Sequence, residues 1–157
     1  MVKNRGKQFE EKFKEDWFVA FPKSVLFRIP DQMSGYKTAS KNICDFIGYN
    51  DGILYLIECK SHKGASIPFE CIKQFYLMKS YVGARGVRVG VILWLYDKDI
   101  VYYIPISTIQ KLKQDGKKSV GIKAFEEGYN IKIIPSVKKR VFLDSDYSLL
   151  KDLKENE

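Results

Sequence analysis

The chain has 157 residues, with 27 Lys plus Arg against 19 Asp plus Glu and a formal charge of +8. That length fits one domain around a single core, residues 1–157, and leaves no room for two ordinary ones. A hydrophobic content of 45% with 14% aromatic residues excludes a disordered basic tail, and the charge favours a polyanionic partner, nucleic acid ahead of an anionic membrane surface.

Residues 4–20 read as an amphipathic helix, with Phe9, Phe13 and Trp17 at i, i+4 and i+8 on one face and Pro22 ending it. A short strand over 24–29 precedes a polar loop over 30–42. Strands over 43–49 and 53–59 then form a hairpin around Asn50-Asp51-Gly52, where Asp-Gly is a strong turn signal. Pro68 suits the first turn of a second helix running to about residue 81. Cys71, Phe75 and Met78 make its apolar stripe, into which Gln74 intrudes as a polar group. Strands over 87–96 and 100–104 pair across Asp97-Lys98-Asp99. The last third supplies a short helix near 107–114, a strand near 130–134, another at 141–143, and a charged tail expected to fray. Helix, strands, helix, strands implies an α/β or α+β architecture with a mixed β-sheet flanked by helices.

Asp45 and Glu58 interrupt the strands of the first hairpin, where an unpaired charge among aliphatic and aromatic residues is costly. If Asp51 and Gly52 form a two-residue loop, Asn50 faces Ile53 and, counting outward, Asp45 faces Glu58. Facing side chains have Cβ atoms about 4.5–5.5 Å apart, and like charges so placed repel. A divalent cation compensates, because Mg²⁺ binds through one or two carboxylates and keeps waters for a substrate phosphate. Lys60, two residues beyond Glu58, shares their face by the period of a strand. Asp45, Glu58 and Lys60 together make a phosphodiester-cleaving set: metal to activate water and polarise phosphate, ammonium to orient the nucleophile or stabilise pentavalent charge. The plainer reading is a solvated polar face, against which Ile47, Leu54 and Leu56 on that same face argue. A three-residue loop would shift the pairing by one and send the two carboxylates to opposite faces.

Asp45 followed by Glu58-Cys59-Lys60 resembles the PD-(D/E)XK nuclease motif, with Cys44 where the family often has Pro. The literal Pro30-Asp31 precedes a loop, lacks the hairpin relation to Glu58, and reads as a decoy. Asn4-Arg5-Gly6-Lys7-Gln8-Phe9-Glu10 is similar to the NRGxxxE opening of the RecU-type Holliday junction resolvases, including phage-encoded relatives. Ser66-Ile67-Pro68-Phe69 is similar to the segment that follows their catalytic strand. The resemblance covers about residues 4–82 and not the carboxyl third. It implies a restriction-endonuclease-like core, a homodimer, Mg²⁺ with Mn²⁺ as a substitute, and paired symmetrical nicks in four-way DNA junctions that leave 5′-phosphate. Departures are Ile43, where those proteins commonly have Thr, and the longer amino-terminal extension and stalk insertion that they carry.

Further candidates rest partly on that resemblance. Glu10 lies at the edge of the buried helical stripe, where by itself it is one more acid beside Glu11, Glu15 and Asp16. The resemblance places it in the outer part of the metal site, as a ligand through water or a positioning group. Gln74, otherwise a core amide satisfied by backbone, gains a metal-water or phosphate role and so becomes a candidate metal ligand. Ser34 lies in a loop comparable to one with a functional Ser in archaeal resolvases, although loop serines also serve as turn formers. Lys3, Arg5, Arg28, Lys37, Lys41 and Lys63 flank the proposed site and are candidate phosphate contacts, with Tyr36 as a stacking group. His62 has no partner histidine and reads as a surface residue, and Lys138, Lys139 and Arg140 as solubility charges.

Cys44, Cys59 and Cys71 sit in apolar runs without the close pairs of a zinc site or the density of a secreted disulfide framework, which implies a reducing compartment. The charged amino terminus lacks an apolar signal segment. The longest apolar stretch, residues 89–96, is far short of a bilayer span, so a cytoplasmic protein without a membrane partner is expected. The expected function is a Mg²⁺-dependent endodeoxyribonuclease that resolves four-way junctions. The alternatives are a PD-(D/E)XK nuclease acting on nicked, flapped or linear DNA, and a non-catalytic basic DNA-binding module.

Overall fold

The computed structural model describes residues 4–31 and 42–157. Helix α1 (Arg5–Ala20) starts where the Asn4 side chain accepts from Gly6 N at 3.0 Å, satisfying one of the orphan donors of the first turn. Its Phe9, Phe13 and Trp17 are buried as the spacing requires. Strand β1 (Val25–Arg28) pairs antiparallel with β2 (Phe46–Asn50), which turns into β3 (Ile53–His62). Asp51 and Gly52 have φ of 49° and 82°. Two successive left-handed residues are what a two-residue hairpin loop needs to match strand twist. The register follows: Asn50 pairs with Ile53 and Phe46 with Ile57.

Strand β4 (Ser66–Pro68), a 3₁₀ turn (Phe69–Cys71) and the short α2 (Phe75–Lys79) lead to β5 (Val87–Leu95), which lies parallel to β3. Strand β6 (Ile100–Pro105) returns antiparallel, followed by α3 (Ile106–Gln114), β7 (Ser119–Gly121), α4 (Ile122–Glu126) and β8 (Lys132–Ile134). The strand order β1-β2-β3-β5-β6-β8 gives the expected mixed sheet flanked by helices. Alternation along the strands sorts two cores. On one face Phe46, Tyr55, Ile57 and Tyr103 pack with α1. On the other Leu56, Val91, Leu93 and Ile104 pack with Phe75 and Met78 of α2 and Ile109 and Leu112 of α3. No helix among the described residues is long and apolar enough to cross a membrane.

Besides β7 and α4, which the sequence reading did not foresee, the structure departs from it as follows. The helix expected from Pro68 to residue 81 is broken: Pro68 closes β4, which pairs with β7, and Phe69 N donates to Lys118 O at 3.0 Å. A strand partner some fifty residues away overrides the local helix signal, and the buried anchors are Ile72, Phe75 and Met78, with Cys71 only half-buried. The strand expected at 141–143 is β10 (Leu143–Ser145), paired with the unforeseen β9 (Ser136–Lys138). The tail expected to fray is docked instead. Tyr147, Leu150 and Leu153 are buried against the α1 face, Tyr55 Oη donates to Leu150 O at 3.0 Å, and Arg88 Nε donates to Leu153 O at 3.0 Å.

Candidate active site

The β2–β3 ladder closes with Phe46 opposite Ile57, and Asp45 and Glu58 are the next residues of the two segments beyond that pair. Asp45 Oδ2 accepts from Cys59 N at 2.9 Å, which fixes its carboxylate against β3. Glu58 is 1% exposed; Lys60 Nζ lies 3.2 Å from its Oε1, while Oε2 is buried without a hydrogen-bond partner. Burial pushes the Glu58 carboxyl up to about 8, the adjacent Asp45 charge adds to the rise, and Lys60 opposes it. Asp45 is raised too, chiefly by burial and then by the charge of Glu10, against the lowering pull of the Cys59 amide. A buried carboxyl and a half-buried one thus stand close together, with a single lysine paired to the first.

The face carrying Glu58 and Lys60 is shared with Leu54 and Leu56, so the charges stand at one end of an apolar surface. A cleft of about 340 Å³ opens there, with Asp45, Asp31, Asn42, Lys73 and Gln74 among its walls. Gln74 stands at the start of α2, and its Oε1 is buried without a partner. Asp31, the acid of the decoy Pro30-Asp31, therefore reaches the cleft wall without facing Glu58 across the hairpin. Asn42 Nδ2 donates to Pro30 O at 2.7 Å, holding together the two ends of the 30–42 segment.

Glu10 projects from α1 onto a second cleft of about 320 Å³, lined also by Lys7, Arg28 and Asp31. It accepts a short hydrogen bond from Arg28 Nε, and Arg28 Nη2 lies 3.1 Å from Asp31 Oδ1. Glu10 and Arg28 are thus partners of each other, and Glu10 reaches Asp45 only through its field. Arg5 stacks on Tyr96, 3.9 Å from the ring centroid, and Lys63 is exposed just past β3. Lys3, Ser34, Tyr36, Lys37 and Lys41 lie outside the described residues. His62 is half-buried with an unpartnered Nδ1, not a freely exposed surface group. The Cys44 thiol donates to Phe46 O at 3.2 Å and is pushed up to about 12 by burial, so it is no nucleophile. Sequence reasoning did not bring Lys73 and Asn42 to this cleft; their only signal was adjacency to Gln74 and to the β2–β3 hairpin.

A cation fits this arrangement. Among the described residues no three His, Cys, Asp or Glu side chains gather into a metal cage. Mg²⁺, however, is held by one or two carboxylates plus other oxygens. Asp45, the orphaned Glu58 Oε2 and the orphaned Gln74 Oε1 are oxygens of that kind. Cys59 turns its N–H toward Asp45, and an extended residue directs its carbonyl to the same side.

The recombination protein U family matches residues 29–143. The chain belongs to that family. The match includes Asp45, Glu58, Lys60 and Gln74 and leaves out α1 with Glu10. No curated protein matches the chain. Among solved structures, this recombination protein U relative is similar to the 1.6 Å structure of Archaeoglobus fulgidus Hjc, described as a Holliday junction resolvase from an archaeal hyperthermophile. The TM-score is 0.56 at 16% identity, over 79% of this chain and 94% of that one. The likeness shows that the restriction-endonuclease-like fold expected from the sequence is the fold adopted.

Proposed function

We propose that this member of the recombination protein U family is a Mg²⁺-dependent endodeoxyribonuclease, accepting Mn²⁺ as well, that resolves four-way DNA junctions by paired symmetrical nicks. Membership in the family and the resolvase-like fold support action at Holliday junctions. The observation that carries the chemistry is the buried Glu58, with an orphaned carboxylate oxygen and Lys60 beside it, next to the half-buried Asp45 held on the Cys59 amide.

Asp45 and Glu58 would hold the cation, with Gln74 and the Cys59 carbonyl as further oxygens. Bound there, a divalent ion lowers the pKa of water and polarises a phosphoryl oxygen. Lys60, about a quarter exposed, orients the attacking water or neutralises the charge that develops on phosphorus. Asp45 is kept in place by the Cys59 amide, and Glu10 stands behind as a positioning group. The water attacks phosphorus and the 3′ oxygen leaves, so the products carry 5′-phosphate. Arg5, Arg28 and Lys63, with Lys3, Lys37, Lys41 and Ser34, are the proposed DNA contacts. Two symmetrical nicks need two active sites, which a twofold homodimer of single-domain chains provides.

The test incubates the protein with a four-way junction and with the matching linear duplex, in Mg²⁺ or in chelator. Paired nicks confined to the junction, lost in chelator and reduced by about 10²-fold or more in Asp45→Asn, Glu58→Gln and Lys60→Ala, are the expected result. Equal cleavage of both substrates would replace the junction reading with a broader nuclease. Binding without any cut would leave a DNA-binding module.

A further inference from the structure

The cleft walled by Asp45 and Gln74 contains a cation that the catalytic scheme does not use. Lys73 is exposed, yet its neighbours on either side are fixed: Ile72 is 2% and Phe75 3% exposed. Backbone bonds from Ile72 N to Phe69 O at 2.9 Å and from Phe75 N to Ile72 O at 3.2 Å hold the turn. Lys113 of α3 clamps it from behind, its Nζ 4.3 Å from the Phe75 ring centroid, 4.9 Å from Tyr76 and 5.5 Å from Phe69. The two-residue step Lys73-Gln74 is therefore presented to the cleft from a rigid base. Among the described residues Lys60 is engaged with Glu58, Arg28 with Glu10 and Asp31, and Lys113 with its three rings. Among the described residues Lys73 forms no ion pair, although acids Asp31 and Asp45 line the same cleft.

A nucleic acid strand entering this cleft meets Asp31 and Asp45, and Arg28, shared between Asp31 and Glu10, offsets Asp31 only in part. A cation among the walls of the same cleft offsets the remaining repulsion and fixes the strand's position. We infer that Lys73 binds a backbone phosphate of the DNA strand being cut, next to the scissile phosphodiester. This rests on the nuclease reading above and adds to it a residue whose part is grip, separate from the bond-breaking of Lys60. A phosphate contact of this kind acts on binding and on its salt dependence, with no preference for base sequence.

The experiment measures binding of a labelled four-way junction by anisotropy, without divalent metal, across a series of salt concentrations. Wild type, Lys73→Gln and Lys73→Arg are compared, with Lys151→Gln as a remote exposed control. Matched thermal melts confirm the fold of each. Lys73→Gln is expected to bind about three- to tenfold more weakly at 0.1 M salt, and its log–log salt slope to be shallower by about 0.9, the loss of one phosphate contact. Lys73→Arg should keep the wild-type slope. In cleavage, Lys73→Gln should raise KM more than it lowers kcat, the reverse of Lys60→Ala. An unchanged slope in Lys73→Gln, or an arginine variant as weak as the glutamine one, overturns the assignment while leaving the junction reading intact. Wild-type protein that does not bind the junction at all sinks both.

Discussion

Glu58 shows how one residue ties stability to chemistry. Its folded carboxyl keeps a proton up to about pH 8, whereas an unfolded glutamate releases it near 4.5. Between those values the folded state binds more protons, so the stability that burial permits is full below about pH 4.5 and is lost as pH rises toward 8. Asp45, raised in the same direction, adds to the slope. We predict that the metal-free protein melts at progressively lower temperature from pH 5 to pH 8.5. Mn²⁺ or Mg²⁺ should restore more of the loss at pH 8.5 than at pH 6, because the cation replaces the proton. Asp45→Asn should flatten both trends while lowering cleavage by about 10²-fold or more. Melting curves that ignore both pH and metal would mean that the two carboxylates carry no shared strain. The placement of Asp45, Glu58 and Lys60 on one face was legible because strand period and loop length leave little freedom. The Glu10–Arg28 pairing was not, since it joins a helix to a strand eighteen residues away and no local pattern encodes it.

At the scale of elements, the β2–β3 hairpin is held from beneath by α1. A Cβ built on Gly48 would lie 3.0 Å from Trp17 Cζ2 and 3.2 Å from Leu26 Cδ1, both in side chains packed within the core. Gly48→Ala should therefore lower stability by about 1–3 kcal/mol, seen as a shift in denaturant midpoint, with the slope of unfolding unchanged. A neutral substitution would show that the helix can lift without cost. The hairpin itself was readable from Asp51-Gly52, a local signal whose left-handed backbone the fold adopts. The α2 region was misread for the opposite reason. Its conformation is set by pairing of Ile67 with Val120, a contact no window of neighbouring residues contains. Lys73 stayed hidden with it, because a continuous helix would have given it no reason to share a wall with Asp45.

For the whole molecule, the closing segment matters as much as the central sheet. Tyr147, Leu150 and Leu153 complete the layer that α1 begins, and Leu150 is fully buried. Leu150→Ala should cost about 2–5 kcal/mol in a cooperative unfolding transition. A loss confined to local fraying at that end would contradict this. The charged character of the last residues concealed their role, since burial there depends on Tyr55 and Arg88 far back in the chain.

Three free thiols are spread unevenly over this frame. Burial holds Cys44 and Cys59, the neighbours of Asp45 and Glu58, protonated and beyond the reach of ordinary oxidants and alkylating reagents. Cys71 is half-buried, in the turn just ahead of Lys73 and Gln74. Nature has thus left a single chemical handle on the protein, and it sits where a fluorescent or spin reporter would sense a strand arriving at the cleft.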